Sequence, residues 1–318
     1  MRCTERGATS AATSRIRQRG SAPQTRQRMQ LKKRFGQWWR RALRDLRCGH
    51  SSVVLAAVFL VVWQLPKGPE WLANPGVRRA LLALGFTVMF AVSARWVRAV
   101  SPSGAVAGGI IALMLALGGG LGAFAGLVAV FLLALLTTRG GYGRKRALGT
   151  AEHGSGRTAS QVLANLSIAA VLAVISSFSG HPAGWLIAAA AALAEAAADT
   201  VSSEFGQAVS SRAYLVTNFR LVAVGTDGGI SWQGTIAGAV AAVLVAGVCA
   251  LSGMIELRWV LATAGAGTLG MFVDSFLGAS LERRGLIGND AVNFTSTAVA
   301  AFFALFLYWS RHGDFLPL

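Results

Sequence analysis

The amino-acid sequence predicts an all-α, polytopic integral membrane protein, a helix bundle of about seven to nine transmembrane helices. Hydrophobic residues make up 54% of its 318 residues and charged residues only 14%, and the mean hydropathy is +0.53. A soluble domain carries about 25% charged residues, so an ordinary soluble protein is excluded. The chain also contains 38 glycines, and small residues let membrane helices approach one another closely.

Residues 1–49 form a basic arm that differs in composition from the integral membrane domain, residues 50–318. The arm contains 14 Lys and Arg residues against two acids, and so carries +12 of the net charge of +17. It contains no recognisable nucleic-acid-binding module, so we expect no nucleic-acid partner and interpret it as a mostly disordered cytoplasmic tail facing anionic lipid. Residues 1–28 are expected to be dispensable, with Met29 as an alternative start.

Apolar windows predict the membrane-spanning helices in order. They lie near 51–65, 79–97, 104–117, 121–138, 161–178, 184–201, 234–254, 259–279 and 294–309. The first and third windows are short, because a span needs about twenty residues. The third and fourth are separated only by the glycine-rich run 118–122, which predicts a broken or re-entrant hairpin.

Basic residues alternate between the loops and so predict the topology. The loops that would share a side with the arm carry Arg95, Arg98, Arg139, Arg144, Lys145, Arg146, Arg157, Arg212, Arg220, Arg283 and Arg284. Because cytoplasmic loops of membrane proteins are enriched in Lys and Arg, these loops are predicted to be cytoplasmic. The expected location is the inner cell membrane, with several spans and a cytoplasmic N-terminus.

The sixth span carries acids in an otherwise apolar run. Glu195 and Asp199 are spaced i, i+4 and share a helical face, and Glu204 follows. Neighbouring carboxylates repel unless a proton or a divalent cation lies between them. The sequence therefore predicts Mg²⁺ bound here and bridging to substrate phosphates. A structural salt bridge with Arg157 or Arg220 is the alternative.

The loop after the fourth span combines glycines with cations, and this combination suits phosphate oxygens. For the cations 144–146 we weigh phosphate binding equally with a simple membrane anchor. Arg157, Gln161 and Asn165 are spaced i, i+4, i+8, which predicts one polar face on the fifth span. A functional role is favoured for these three residues, because polar groups within apolar helices usually have one.

Two further segments place polar residues where spans end or begin on the same side. The eighth span ends with Asp274, as the sixth ends with Asp199, and each is followed by a polar turn that opens the next span. This similarity suggests a parallel internal repeat, with a site at the interface of the repeats. The turn residues are Gly225, Thr226, Asp227, Gly228, Gly229 and Ser231 before the seventh span, and Asn289, Asp290 and Asn293 before the ninth.

These motifs together resemble a known family. The matching segments are Gly156-Arg157 with Gln161, Asp199-Thr200 with Glu204, Gly225-Thr226 with Gly228-Gly229, Asp274-Ser275 with Gly278, and 289–293. They resemble the transmembrane protein 19 family, also catalogued as domain of unknown function ninety-two, over about residues 101–306. The family includes a plant and cyanobacterial phytyl-phosphate kinase. The resemblance implies an integral membrane protein, with nucleotide-dependent phosphorylation of an isoprenoid monophosphate in some members.

The predicted function is therefore phosphoryl transfer from a nucleoside triphosphate, with CTP as one candidate, to a prenyl phosphate such as phytyl phosphate. Asp199, Asp274 and Glu204 are predicted to hold Mg²⁺, and Asp199, Asp274 and Arg157 to act in catalysis. Substrate and nucleotide contacts are predicted for Gln161, Asn165, Glu204, Arg220, Gly225, Thr226, Asp227, Gly228, Gly229, Ser231, Asn289, Asp290 and Asn293. The alternative is a membrane transporter or flippase of the same helix-bundle type, because its substrate pathway would also need polar groups between helices.

Overall fold

The computed structural model describes residues 74–151 and 155–312, so the basic arm and the first candidate span lie outside the described residues. The described helices are α1 (Pro75–Trp96), α2 (Pro102–Gly118), α3 (Gly120–Arg139), α4 (Tyr142–Leu148), α5 (Ala159–Ser176), α6 (Pro182–Val209), α7 (Trp232–Leu251), α8 (Val260–Ser280) and α9 (Asn289–His312). Short 3₁₀ turns, Leu257–Trp259 and Glu282–Arg284, flank α8. Seven of the described helices are long and apolar enough to cross a membrane, and α2 is shorter at 17 residues. The predicted all-α membrane bundle is confirmed.

Helix α6 is the centre of the bundle. It is 28 residues long, and its segment from Ile187 to Ala198 is buried at every position. Its neighbours approach closely because alanines line α6 and glycines face it. A Cβ added at Gly267 of α8 would lie 2.9 Å from the Ala194 Cβ atom, and one at Gly238 of α7 would lie 2.7 Å from the Ala198 carbonyl oxygen.

The close contacts also define the helix directions. Gly267 and Gly270 of α8 contact Ala194 and Glu195 of α6 respectively, so α6 and α8 run in the same direction. This is the arrangement expected for the suggested parallel repeat. The loops 97–101, 140–151 with 155–158, 210–231 and 281–288 consequently lie together at one end of the bundle, which we call the site end.

The helices α2 and α3 are separated by a break at Gly119. The break is stabilised by close packing, because a Cβ at Gly118 would lie 2.3 Å from the Ala173 carbonyl oxygen of α5. Gly120 has a φ angle of +70°, which a residue with a side chain rarely adopts. The interruption predicted from the glycine-rich run is therefore confirmed.

The loop between α6 and α7 contains a small antiparallel sheet that the all-α prediction did not include. Its strands are β1 (Ala213–Leu215), β2 (Leu221–Val222) and β3 (Gly229–Ile230), in the order β2-β1-β3. Tyr214 pairs with Leu221 on one side and with Ile230 on the other. The sheet joins the last residues of the glycine-rich turn to β1, so this turn is held as part of a folded unit.

Cations from the loop after α3 cap helix ends at the site end. The Lys145 ammonium group donates to the carbonyl oxygens of Thr137 at 2.9 Å and Thr138 at 2.5 Å, at the C-terminus of α3. Arg144 donates to the Ala208 carbonyl oxygen at 3.2 Å and to that of Ser210, at the end of α6. Cations stabilise helix C-termini because the last carbonyl groups carry partial negative charge. Arg144 and Lys145 thus contact helix ends directly, which neither the phosphate-binding nor the membrane-anchor interpretation specified.

Candidate functional site

A polar cavity opens at the site end between α6, α8 and the loop that contains the sheet. Its walls come from the C-terminal turns of α6 and α8, the glycine-rich turn 225–229 and the start of α9. The predicted site residues that line it are Asp199, Gly225, Thr226, Asp227, Gly228, Gly229, Ser231, Asp274 and Asn289. Most of the turn and acid residues predicted from the sequence are therefore brought together in one cavity.

Asp199 and Asp274 form the centre of this cavity. Their carboxyl groups come from two parallel helices and lie within hydrogen-bonding distance of each other. The Ser296 hydroxyl of α9 donates to Asp274 Oδ2 at 3.4 Å. Arg157 lies close enough to Asp199 for their opposite charges to interact. Two carboxyl groups in contact require a shared proton or a cation, because two bare negative charges would repel.

A third acid, Glu195, lies one helical turn deeper in the bundle. Its side chain is only 1% exposed and lies beside the Ser296 hydroxyl group. Its Oε1 atom has no hydrogen-bond partner among the described residues. Glu195 thus extends the line of acids from the polar cavity toward the middle of the bundle, through the hydroxyl group that also contacts Asp274.

The glycine-rich turn is pressed against the end of α8. Gly228 has a φ angle of +69°, and a Cβ added to it would lie 2.3 Å from the Ala279 amide nitrogen. Within the turn, the N–H groups of Thr226 and Gly229 donate to the carbonyl oxygens of Ala223 and Thr226. Only a glycine fits position 228, and this close approach places the turn beside Asp274.

Ser231 has a local structural role in addition to lining the polar cavity. Its hydroxyl oxygen caps α7 by accepting a hydrogen bond from the Gly234 amide at 3.2 Å. It also accepts one from the Ser210 hydroxyl at 2.9 Å. The Ser231 hydroxyl oxygen therefore has partners within the protein. Its position in the cavity is explained by its role as the cap of α7.

The predicted polar face of the fifth span requires one correction. Arg157 precedes α5 rather than lying on it, and its backbone forms a parallel bridge with Val100. Gln161 closes a capping box with Thr158, and Asn165 donates to the Gln161 carbonyl oxygen at 2.9 Å. All three residues line a second cavity, between α1, α2, α3 and α5. Arg157 therefore faces this second cavity while its charge acts on Asp199 of the first.

Glu204 and Arg220 line neither cavity, although the charge of Glu204 still acts on Asp199. Glu204 Oε2 is bound by the Lys145 ammonium group at 2.5 Å, and its Oε1 accepts from the Thr138 hydroxyl at 3.2 Å. Glu204 therefore forms a structural salt bridge, but its partner is Lys145 and not Arg157 or Arg220, which the alternative named. Arg220 is exposed at the start of β2 and lines neither cavity.

The polar residues that open α9 have different environments. Asn289 is exposed and lines the polar cavity, whereas Asp290 is half-buried and lines neither cavity. Asn293 is buried, and its carbonyl oxygen accepts hydrogen bonds from the hydroxyl groups of Ser296 and Thr297. Of these three residues, the geometry supports only Asn289 as a direct ligand contact.

The acid pair fits a magnesium ion that is shared with a bound phosphate group. Across residues 74–151 and 155–312, no group of three or more His, Cys, Asp or Glu side chains is arranged to hold a metal ion. Mg²⁺, however, is commonly held by one or two carboxylates together with substrate phosphates and water. Asp199 and Asp274 supply two carboxylates, so binding of the ion would depend on the substrate.

Sequence reasoning missed two features of the site. Glu282 lines the polar cavity, and the negative charges of Asp227 and Asp199 act on it. Glu282 lies in the 3₁₀ turn after α8 ends at Ser280, so the helical spacing that identified the other acids gave no signal for it. The apolar part of the second cavity was missed, although Arg157, Gln161 and Asn165 at its polar end were predicted, because its walls are ordinary apolar side chains from different helices. No local pattern marks such a wall.

Comparisons with known proteins agree with this architecture. An uncharacterised membrane protein of Methanocaldococcus jannaschii is 34% identical over 182 residues, covering 57% of this chain and 74% of its own length. An uncharacterised membrane protein of Synechocystis is 30% identical over 183 residues, covering 56% and 71%. The chloroplastic protein VTE6 of Arabidopsis thaliana is 28% identical over 189 residues, covering 57% of each chain.

No solved structure matches the chain. The profile of the integral membrane protein family DUF92 matches residues 85–301, which include α2 to α8 and both cavities. This match covers more than half of the sequence and contains every motif on which the resemblance depended. The chain therefore belongs to the DUF92 family of integral membrane proteins.

Proposed function

We propose that this protein is a membrane-bound kinase that transfers a phosphoryl group from a nucleoside triphosphate to a prenyl monophosphate. The observation that carries the proposal is the contact between the Asp199 and Asp274 carboxyl groups in a cavity closed by a glycine-rich turn. The family relationship supports the class of acceptor, because the resemblance implies phosphorylation of isoprenoid monophosphates in some members. CTP is one candidate donor and phytyl phosphate one candidate acceptor.

In the proposed reaction, an oxygen of the acceptor phosphate attacks the γ-phosphorus of the nucleotide. A new P–O–P bond forms as the bond between the γ-phosphorus and the β–γ bridging oxygen breaks, and the nucleoside diphosphate leaves. The products are a prenyl diphosphate and a nucleoside diphosphate. Such transfers depend mainly on positioning and on stabilisation of the phosphate charge.

The described residues offer these two contributions. The N–H groups of the turn around Asp227 and Gly228 would donate to nucleotide phosphate oxygens, as backbone donors do in other phosphate-binding loops. Mg²⁺, held by Asp199 and Asp274, would supply charge neutralisation between the phosphates. Arg157 would bind the acceptor phosphate, because a guanidinium group offers five donors and can contact a phosphate bidentately.

The charge distribution supports a cytoplasmic position for the site end. Eleven cationic side chains belong to this end, from Arg95 to Arg284, whereas Arg78, Arg79, Arg258 and Arg311 lie near the other end. Under the positive-inside rule, the site end faces the cytoplasm, where nucleoside triphosphates are available. The inner cell membrane, with a cytoplasmic N-terminus, is the proposed location.

Purified protein in lipid nanodiscs provides the direct test. Each of the four γ-³²P-labelled ribonucleoside triphosphates is incubated with Mg²⁺ and a panel of prenyl monophosphates, and labelled lipid is separated by chromatography. We expect label in a prenyl diphosphate with at least one nucleotide, and no product when EDTA is added. No labelled lipid with any nucleotide and acceptor, from protein that is folded and monodisperse, would contradict the proposal.

A transporter remains the second candidate because of one specific observation. Glu195 lies deeper than the other acids, with one carboxylate oxygen that has no hydrogen-bond partner among the described residues. Ionisable groups at such depth are typical of proton or cation pathways. Proteoliposomes loaded with prenyl phosphate distinguish the two, since a carrier would move the lipid without nucleotide, whereas a kinase requires nucleotide and changes the lipid.

A further inference from the structure

The second cavity has the shape and composition of a site for a single hydrocarbon chain. Apolar side chains from α1, α2, α3 and α5 form its walls, among them Phe90, Leu127, Phe131, Val162 and Leu166. Its lining positions on α3 extend from Leu127 to Arg139, which corresponds to about 18 Å along the helix axis. The cavity encloses about 200 Å³. Its lining along this length is mostly apolar, as a hydrocarbon chain requires.

One end of this cavity is polar and positively charged. Arg98, Arg139 and Arg157 line it together with Gln161 and Asn165, and no Asp or Glu is among its described lining residues. The Arg139 guanidinium group donates to the Val97 carbonyl oxygen, but such a group has five donors, so this contact does not exhaust it. Asp199 of the polar cavity acts on Arg157, but three guanidinium groups at this end leave an excess of positive charge, which favours an anion.

The charged end lies beside the pair of aspartates. Ala196 of α6 lines the second cavity, and Asp199, three residues later on the same helix, lines the polar cavity. The Arg157 charge acts on Asp199, so an anion bound by Arg157 would lie close to the acids. Lining residues of the two cavities therefore lie less than one helical turn apart on α6, near the level where a phosphoryl group would be transferred.

We propose that this second cavity binds the acceptor as a single-chain isoprenoid monophosphate, with its chain along α3 and its phosphate at Arg98, Arg139 and Arg157. This inference rests on the proposed function for the identity of the chain. The cavity explains how a lipid substrate reaches a polar site: the chain stays among apolar side chains within the bilayer, and only the phosphate meets the acids.

The first experiment maps the bound chain on the wild-type protein. A ³H-labelled prenyl monophosphate with a diazirine at the far end of its chain is photolysed with the protein in nanodiscs, without nucleotide. Peptide mapping is expected to find the label on the inner segments of α1 and α3, near Phe90, Leu127 and Phe131. Labels confined to lipid-facing positions outside the cavity would overturn the inference.

The second experiment fills the cavity with one side chain. Gly108 of α2 lines the cavity, and a Cβ added there would meet only the Val162 Cγ1 atom, at 3.9 Å. Gly108→Leu should therefore fold, and should weaken binding of the labelled prenyl monophosphate at least tenfold. Gly85→Leu is the matched control, because Gly85 is exposed on α1 with nothing within 4 Å of an added Cβ. Equal affinity of the two variants would overturn the proposal.

Competition identifies the ligand class. Unlabelled prenyl monophosphate should displace the probe, whereas a prenyl alcohol, inorganic phosphate or a two-chain phosphatidic acid should do so at least tenfold less well. Equal displacement by phosphatidic acid would mean a general lipid site and would overturn the single-chain assignment. If Gly108→Leu is unstable, Arg139→Gln replaces it and should reduce affinity for the phosphate but not for the alcohol.

These results are separable from the proposed kinase activity. Labelling of the cavity without phosphotransfer under any nucleotide would contradict the kinase and leave the binding site intact. Phosphotransfer with an unchanged KM in Gly108→Leu, together with labels outside the cavity, would contradict the binding site and leave the kinase intact.

Discussion

At the residue scale, the contact between Asp199 and Asp274 concentrates negative charge at one point of an otherwise apolar bundle. The two side chains come from different helices, and each is followed by a short hydroxyl-bearing residue, Thr200 or Ser275. Ser275 donates its hydroxyl group to the Met271 carbonyl oxygen of its own helix. The carboxyl groups are thus the ligands that this part of the cavity offers to a cation.

Replacing either aspartate tests this role. Asp199→Asn and Asp274→Asn should each lower Mg²⁺-dependent phosphotransfer at least a hundredfold, because the amide keeps the shape and loses the charge. Folding, measured by gel filtration and thermal melting, should be preserved. Glu256→Gln is the control, since Glu256 is exposed at the opposite end and should retain full activity. Wild-type rates in both aspartate variants would exclude the pair from catalysis.

For Glu195 we expect a substitution to raise stability, whereas the aspartate substitutions are expected to lower activity. Its buried Oε1 atom has no hydrogen-bond partner among the described residues, and an unsatisfied buried polar group costs roughly 1–3 kcal/mol. Glu195→Met, of similar size, should therefore raise the melting temperature of the detergent-solubilised protein. Ser296 keeps a partner, because its hydroxyl group also donates to the Asn293 carbonyl oxygen at 3.0 Å.

The activity of this variant separates the two functional candidates. A kinase whose chemistry uses Asp199 and Asp274 should retain most of its phosphotransfer in Glu195→Met. A carrier that binds a proton or cation at Glu195 would lose transport, even if the variant melts at a higher temperature. A lower melting temperature would instead show that Glu195 stabilises the fold.

At the scale of elements, the ion pair between Lys145 and Glu204 joins α3, α4 and α6. Lys145 is 1% exposed, and its ammonium group contacts Glu204 and the carbonyl oxygens of Thr137 and Thr138. Lys145→Met leaves the Glu204 carboxylate without its cation. Breaking a buried pair in this way costs roughly 3–5 kcal/mol, which should appear as a lower denaturation midpoint in mixed micelles.

A double variant tests whether charge pairing is the reason. Lys145→Met with Glu204→Met removes both charges and should recover at least half of the lost stability. The exposed pair Arg258–Glu256 is the control, because its side chains are more than 60% exposed. Arg258→Met should change the midpoint little, since exposed pairs are screened by solvent.

Two glycines with the same φ angle allow the cost of a steric contact to be separated from the cost of backbone strain. Gly228 and Gly285 share a φ angle of +69°, but only Gly228 is packed, with Ala279 less than 3 Å from an added Cβ. Gly285→Ala should cost about 1–2 kcal/mol, the strain of a left-handed alanine. Gly228→Ala should cost more and should also raise the KM for the nucleotide, because the turn must move away from Asp274. Equal stability and equal KM in the two variants would contradict the packed position of the turn.

At the scale of the whole molecule, the helix directions place four loops at one end of the bundle. The polar cavity and the charged end of the second cavity lie at this same end. Gly143 in α4 belongs to this end, and Gly180, between α5 and α6, to the other. An added Cβ meets nothing within 4 Å at either position.

Cysteine labelling in intact cells checks this arrangement and its orientation. In a background with the three native cysteines replaced, Gly143→Cys should react with membrane-permeant maleimide only. Gly180→Cys should also react with the impermeant reagent, because the end that carries few cations should face outward. Labelling of both variants by the impermeant reagent would contradict the separation of the two ends.

The sequence by itself determined the class of the protein and pointed to two acids, Asp199 and Asp274, that line one cavity in the structure. Apolar runs of span length require a membrane bundle, because unpaired backbone groups are costly in lipid and helices satisfy them internally. Asp199 and Asp274 could be identified because acids are rare and costly in such runs. The basic loops could be assigned to one side because the charge of each loop can be counted from the sequence alone. The structure places these loops at one end of the bundle.

Only the tertiary structure decided which of the predicted groups meet. It joined Asp199 to Asp274, paired Glu204 with Lys145, left Arg220 exposed, and formed a cavity from apolar side chains of four helices. The short sheet around β1 was also absent from the sequence-based prediction. The physical reason is that such contacts depend on helix rotation and separation. Rotation and separation are determined by the packing of small residues such as Gly267 and Gly270 against α6, and these glycines are far from α6 in the sequence.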